Sequence, residues 1–137
     1  MTSPICGGVS GGTIVDEDEL EGIGAPVAVL PMGGEYRGTL GEGDDVISRG
    51  FAQAFTYEGT AGEEVIFELI SEDFDCYLYL TGPGLPGVIA DDDGAAGSLD
   101  SQIEVTLPEN GRYTVVVSSL SEGDLGAFRL RAIRPVN

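Results

Sequence analysis

Four groups of residues are of a type and spacing that could do chemistry. The densest is Asp91-Asp92-Asp93-Gly94, with Asp100 and Ser101 after it and Asp73 and Asp75 flanking Phe74 before it. Calcium takes about six to eight oxygens, and carboxylates on a loop that bends at glycine supply them. Asp73, Asp75, Asp91, Asp92, Asp93 and Asp100 are therefore candidate calcium ligands. The same residues also suit a solvated turn, in which aspartates accept backbone N–H bonds, and both readings are open. A second acidic run, Asp16-Glu17-Asp18-Glu19, reads as solvated charge. Cys6 and Cys76 are the two cysteines. A disulfide between them, within one chain or between neighbours, is expected of a secreted protein. The alternative is two thiols, one buried as a small apolar residue. Tyr77 and Tyr79 share one face of a strand, and Leu78 and Leu80 share the other. The tyrosines offer either a sugar-stacking platform or packing under a loop or across a strand pair, and the packing is the expectation.

Composition excludes much else. With no histidine in 137 residues, neither a Ser-His-Asp nor a Cys-His mechanism is available. Zinc sites built on histidine go with them, and two cysteines make no Cys-rich site. Glycosidases need two carboxyl groups placed across a cleft. Acids are spread along the whole chain here, and nothing marks one pair, so no enzymatic activity is expected. The 24 acidic and six basic residues give a net charge of −18, and all six basic residues are arginine. Such a surface repels nucleic acid and anionic membranes and attracts cations. No run of about 20 apolar residues is present to span a membrane. Met1 to Ser10 lacks the basic start and apolar run of a signal peptide. A cytoplasmic chain and a mature secreted form with its signal removed are both open on this, and composition together with the resemblance below favours the second.

The elements that must position these residues read as all-β. From Gly34 on, short strand-like runs alternate with turns: Glu35 to Leu40, Gln53 to Tyr57, Glu64 to Ile70, Cys76 to Leu80, Val88 to Ala90, Gln102 to Leu107, Tyr113 to Ser118 and Phe128 to Ala132. About eight short strands at this spacing predict a β-sandwich or barrel. Ile103, Val105 and Leu107 alternate with polar neighbours, as Phe128, Leu130 and Ala132 alternate with Arg129 and Arg131. Each such strand has one face on a core and one in water. Val115-Val116-Val117 predicts a more deeply buried central strand. Residues 1–33 differ, being Gly-rich, and are predicted to form an extended arm before a domain at 34–137. Its apolar pieces, Thr13 to Val15 and Pro26 to Leu30, suit strand addition to a sheet edge, in their own domain or a neighbour's.

Two segments carry a family resemblance. Ser71 to Leu80 reads SEDFDCYLYL, and Asp91 to Ser119 reads DDDGAAGSLDSQIEVTLPENGRYTVVVSS. Together they resemble the bacterial pre-peptidase C-terminal domain: an S-x-D-F-D-x-Y-L-Y-L strand, an acidic D-D-G loop, then L-P-x-x-G-x-Y-x-V-x-V. Gly38-Thr39-Leu40, Phe55 to Gly62, and Gly126 to Leu130 match further features, with Phe128 in place of tyrosine. The likeness runs from about Glu35 to Ile133. It implies a β-sandwich of jelly-roll type, not itself catalytic, carried mostly by secreted enzymes and above all by peptidases. Some members bind calcium, and some bind insoluble substrates such as collagen. The chain departs from the pattern at Cys76, where a small polar residue is usual, and in having an arm instead of a preceding enzyme.

Two functions are expected from this. In the first, the module is a structural subunit that assembles with itself into a filament or surface layer through its arm. In the second, it is an accessory domain that binds polysaccharide or fibrous protein for a secreted peptidase.

Overall fold

In an alternating strand, every second side chain leaves water when one face packs on another sheet, and two such sheets make a sandwich. The computed structural model describes residues 6–7, 13–15, 17–30, 32–41, 44–47, 50–71, 76–85, 87–92, 101–119 and 126–134. Its strands are β1 (Cys6–Gly7), β2 (Thr13–Val15), β3 (Ala28–Val29), β4 (Glu35–Leu40), β5 (Asp45–Ile47), β6 (Gly50–Gly59), β7 (Glu64–Ile70), β8 (Cys76–Thr81), β9 (Val88–Asp92), β10 (Ser101–Thr106), β11 (Gly111–Ser119) and β12 (Gly126–Ile133). One sheet runs β1-β10-β7-β12-β4. The other runs β2-β9-β8-β11-β6-β3, with β5 also paired to β6. All eight predicted strands are present.

The core lies between the sheets. Phe55, Tyr57, Leu78, Leu80, Val115 and Val117 from one sheet meet Val65, Phe67, Leu69, Ile103, Phe128, Leu130 and Ala132 from the other. Val115, Val116 and Val117 are all fully buried, as a central strand requires. Rings brace the packing, with Tyr57 edge-on to Phe67 at 5.3 Å and Tyr36 against Phe55 at 4.8 Å. Tyr57 donates its hydroxyl to Glu63 Oε2 at 2.6 Å. Burial, and after it the Glu63 carboxylate, hold the phenol well above its ordinary pKa of 10.0, so it stays a donor.

The Leu-Pro-x-x-Gly-x-Tyr signature has a packing explanation. Tyr113 is fully buried, donates its hydroxyl to Glu109 O at 2.7 Å, and accepts from Glu109 N at 3.1 Å. The ring thus ties the β10–β11 connection to the strand that follows it. Its two sides lie against Gly59 and Gly82, where any added Cβ would collide with the ring. Glycine is needed there for close approach.

The arm folds onto its own domain. β1 pairs in parallel with β10, β2 antiparallel with β9, and β3 in parallel with β6. Between β2 and β3, Glu17–Leu20 forms a 3-10 turn with Asp18 exposed and Leu20 buried. Leu20, Val15 and Ile23 pack on the outer face of the larger sheet, against Tyr77, Tyr79, Ala52, Ala54 and Val116. Asp45 Oδ2 accepts from Gly24 N at 2.6 Å and anchors the segment. This covers Tyr77 and Tyr79, which are 7% and 0% exposed with rings 4.9 Å apart.

Two outcomes follow for stability. Gly82→Ala should cost about 1–3 kcal/mol by forcing Tyr113 from its slot, and Tyr113→Phe about 1 kcal/mol through its lost hydrogen bonds; urea denaturation measures both. Leu20→Ala should loosen the covering segment, so that nitration of Tyr77 and Tyr79 by tetranitromethane speeds up while the far-UV spectrum is unchanged. Unchanged nitration would show that Leu20 does not hold the cover.

Candidate functional site

The structure closes one predicted site. A sugar platform needs exposed tyrosine faces, and Tyr77 and Tyr79 lie beneath the Val15–Ile23 segment. Their alternation with Leu78 and Leu80 is as expected, but both faces of β8 are buried. The stacking surface is thereby corrected to a second, smaller core.

The acidic set is placed only in part. The β8–β9 register pairs Tyr77 with Asp92 and Leu78 with Asp91, so the start of β8 lies beside the end of β9. Asp73, Asp75, Asp93 and Asp100, and the side chains of Asp91 and Asp92, lie outside the described residues. Among the described residues, no three His, Cys, Asp or Glu side chains gather to hold a metal ion. The backbone of Cys6 is at the β1–β10 edge of one sheet, and that of Cys76 is paired to Ser119 in the other. Both side chains lie outside the described residues.

Among the described residues, the outer face of the smaller sheet is the exposed one. Along β4 the residues alternate, with Glu35, Arg37 and Thr39 exposed and Tyr36 and Leu40 turned to the core. β12 does the same, with Ala127 and Arg129 exposed and Phe128 and Leu130 inside. The β4–β12 register then sets Arg37 directly opposite Arg129. Like charges facing each other across a strand pair repel. One carboxylate oxygen lies between them: Glu35 Oε2 is 3.3 Å from Arg37 Nε and 3.7 Å from Arg129 Nη1. Arg131 is paired separately with Glu68, its Nε donating to Oε1 at 2.9 Å.

Beside the two arginines is a groove of about 370 Å³, lined by Arg37, Gly38, Ile70, Ser71, Ala127 and Arg129. Ser71 donates its hydroxyl to Ala127 O at 2.8 Å, which joins the end of β7 to the start of β12. The groove thus has apolar walls and a cationic rim within a chain of net charge −18. Guanidinium groups are planar forks that match carboxylates. Sequence reading marked Arg129 as outward-facing but did not bring it to Arg37. The signal was the outward alternation of both strands, and the missing term was the register between them.

Among the described residues, no helix is long and apolar enough to cross a membrane. No curated protein matches the chain. Among solved structures, the pre-peptidase C-terminal domain of a Bacillus anthracis collagenase superposes with a TM-score of 0.56 at 13% identity, covering 80% of this chain and 97% of that one. The Aeromonas hydrophila protein PliG, a periplasmic inhibitor of g-type lysozyme, superposes with a TM-score of 0.51 at 13% identity, covering 79% and 99%. CorA, a surface-associated copper-binding protein of Methylomicrobium album BG8, gives 0.54 at 12% identity, covering 82% and 100%. At these identities the likeness is one of fold. Residues 52–119 match the family model of the bacterial pre-peptidase C-terminal domain. Such domains are non-catalytic β-sandwich modules often attached to secreted peptidases, and residues 52–119 of this sandwich are identified with that family.

Proposed function

We propose that this domain is a non-catalytic, extracellular binding module that holds a fibrous protein or polysaccharide for a secreted enzyme, chiefly a peptidase. One observation carries the choice: the arm's strands are spent on the domain's own edges. An arm used in this way supports a monomer as the binding unit, with an exposed sheet face among the described residues. The fold's occurrence in secreted proteins supports the extracellular setting. Nucleic acid and membrane insertion are no part of this reading, given the charge of −18.

The second reading is self-assembly into a filament or surface layer. What favours it is that β1, β2 and β3 have only two, three and two residues. Strands this short can be exchanged between copies with every pairing kept. Calcium belongs to either reading. The proposed ligands are Asp73, Asp75, Asp91, Asp92, Asp93 and Asp100, and what supports it is the pairing of Tyr77 with Asp92, which sets the start of β8 beside the end of β9.

Gel filtration of the untagged protein at physiological salt with calcium should give a monomer, and retention on insoluble collagen or polysaccharide should follow. Regular polymers in the void volume, with no retention on any matrix, would favour assembly instead. Removal of calcium by chelator at low salt should lower the melting temperature. Superimposable melts would end the calcium proposal.

A further inference from the structure

A sandwich of two open sheets has four edges, and each is a row of backbone donors and acceptors that invites another strand. Here β1 pairs with Ser101 and Gln102 of β10, β2 with Val88 to Ala90 of β9, and β3 and β5 with parts of β6, so each of these edges carries a short strand of its own. β4 is the fourth edge, and among the described residues it pairs with β12 alone. Near its end, the Thr39 carbonyl accepts from Gln53 Nε2 at 2.8 Å. The Glu35–Arg37 stretch lies farther along the same strand, next to the like-charged arginine pair.

Building on the reading of the domain as a binding module, we propose that the β4 edge receives an extended peptide from a partner protein by strand addition, with acidic residues at alternate positions. Three features converge on that occupant. An added strand places every second side chain beside Arg37, on the outer face of the sheet. A carboxylate there would meet the Arg37 side chain, which is 76% exposed, and would add a second anion to the one Glu35 oxygen that lies between it and Arg129, itself 44% exposed. The intervening side chains of the added strand would fall beside Tyr36, a half-buried ring packed on Phe55 and Phe128 at the core side of the same strand. The fitting sequence therefore alternates acidic with apolar residues. A dense polyanion fits poorly, because the net charge of −18 repels it at range while the arginine pair acts only at contact.

The test is a titration of the full chain with a short fluorescent peptide that alternates valine and glutamate. Three comparisons accompany it: a peptide with lysine for glutamate, the acidic peptide N-methylated at alternate backbone nitrogens, and the variants Arg37→Glu and Arg129→Glu. Saturable binding of the acidic peptide is expected. Binding should fall about tenfold or more with Arg37→Glu, lysine or N-methylation, one lost charge-assisted contact being worth roughly that factor. N-methylation leaves the protein untouched, so its effect stands even if a variant folds poorly. Equal binding of the methylated peptide, or of the lysine peptide, would overturn the proposal. No binding of the acidic peptide would overturn it too; retention of the domain on collagen or polysaccharide in the same preparation would then leave the broader reading as a binding module standing.

Discussion

Backbone groups at a sheet edge must be paired, covered or guarded, and this constraint organises the molecule. Most of the sandwich is settled by its inter-sheet core, but that core leaves four rows of edge donors and acceptors. Three are paired along part of their length by strands of two or three residues, from the N-terminal arm and from β5. To reach edges on both sheets the arm must travel across the domain. In doing so it lays Leu20 and Ile23 over Tyr77 and Tyr79. Edge closure and the second core are thus one event, fastened by the Asp45–Gly24 hydrogen bond.

The remaining edge is guarded by charge. Glu35 and Arg37 on β4 keep a strand-forming surface soluble, a device natural sheets use against edge-to-edge aggregation. Guarding alone does not account for the arrangement. An acidic chain with six basic residues places two of them face to face, with Glu35 Oε2 near both. Repulsion across a strand pair is a local cost, and costs of that kind concentrate where a surface meets something else.

The family's signature residues serve the scaffold. Tyr113, Leu107 and Gly59 pack in one corner, closed on its other side by Gly82 from outside the signature, with the tyrosine hydroxyl bonded to the Glu109 backbone. These positions explain why the fold is recognisable, and they say nothing about what it binds. The same sandwich in a collagenase domain, a lysozyme inhibitor and a copper-binding surface protein makes that point from outside the chain.

The chain's own pattern was enough for the eight strands of the sandwich, the buried Val115–Val117 strand, and the faces of β10 and β12. Each is written in local alternation, which a strand obeys whatever its neighbours. The strand-like pieces of the arm were legible too, but their destination was not. Nothing local says whether Thr13–Val15 meets β9 of its own chain or of another. For the same reason, packing of the β8 tyrosines under a loop was legible, but not that the cover comes from far upstream. The Arg37–Arg129 pair lies deepest in the tertiary structure. Arg129 is visibly outward-facing in sequence and Arg37 sits in a strand-like run, yet more than half the chain separates them. Only the β4–β12 register brings them together, because pairing between distant strands is set by how the whole core packs and not by the residues that meet.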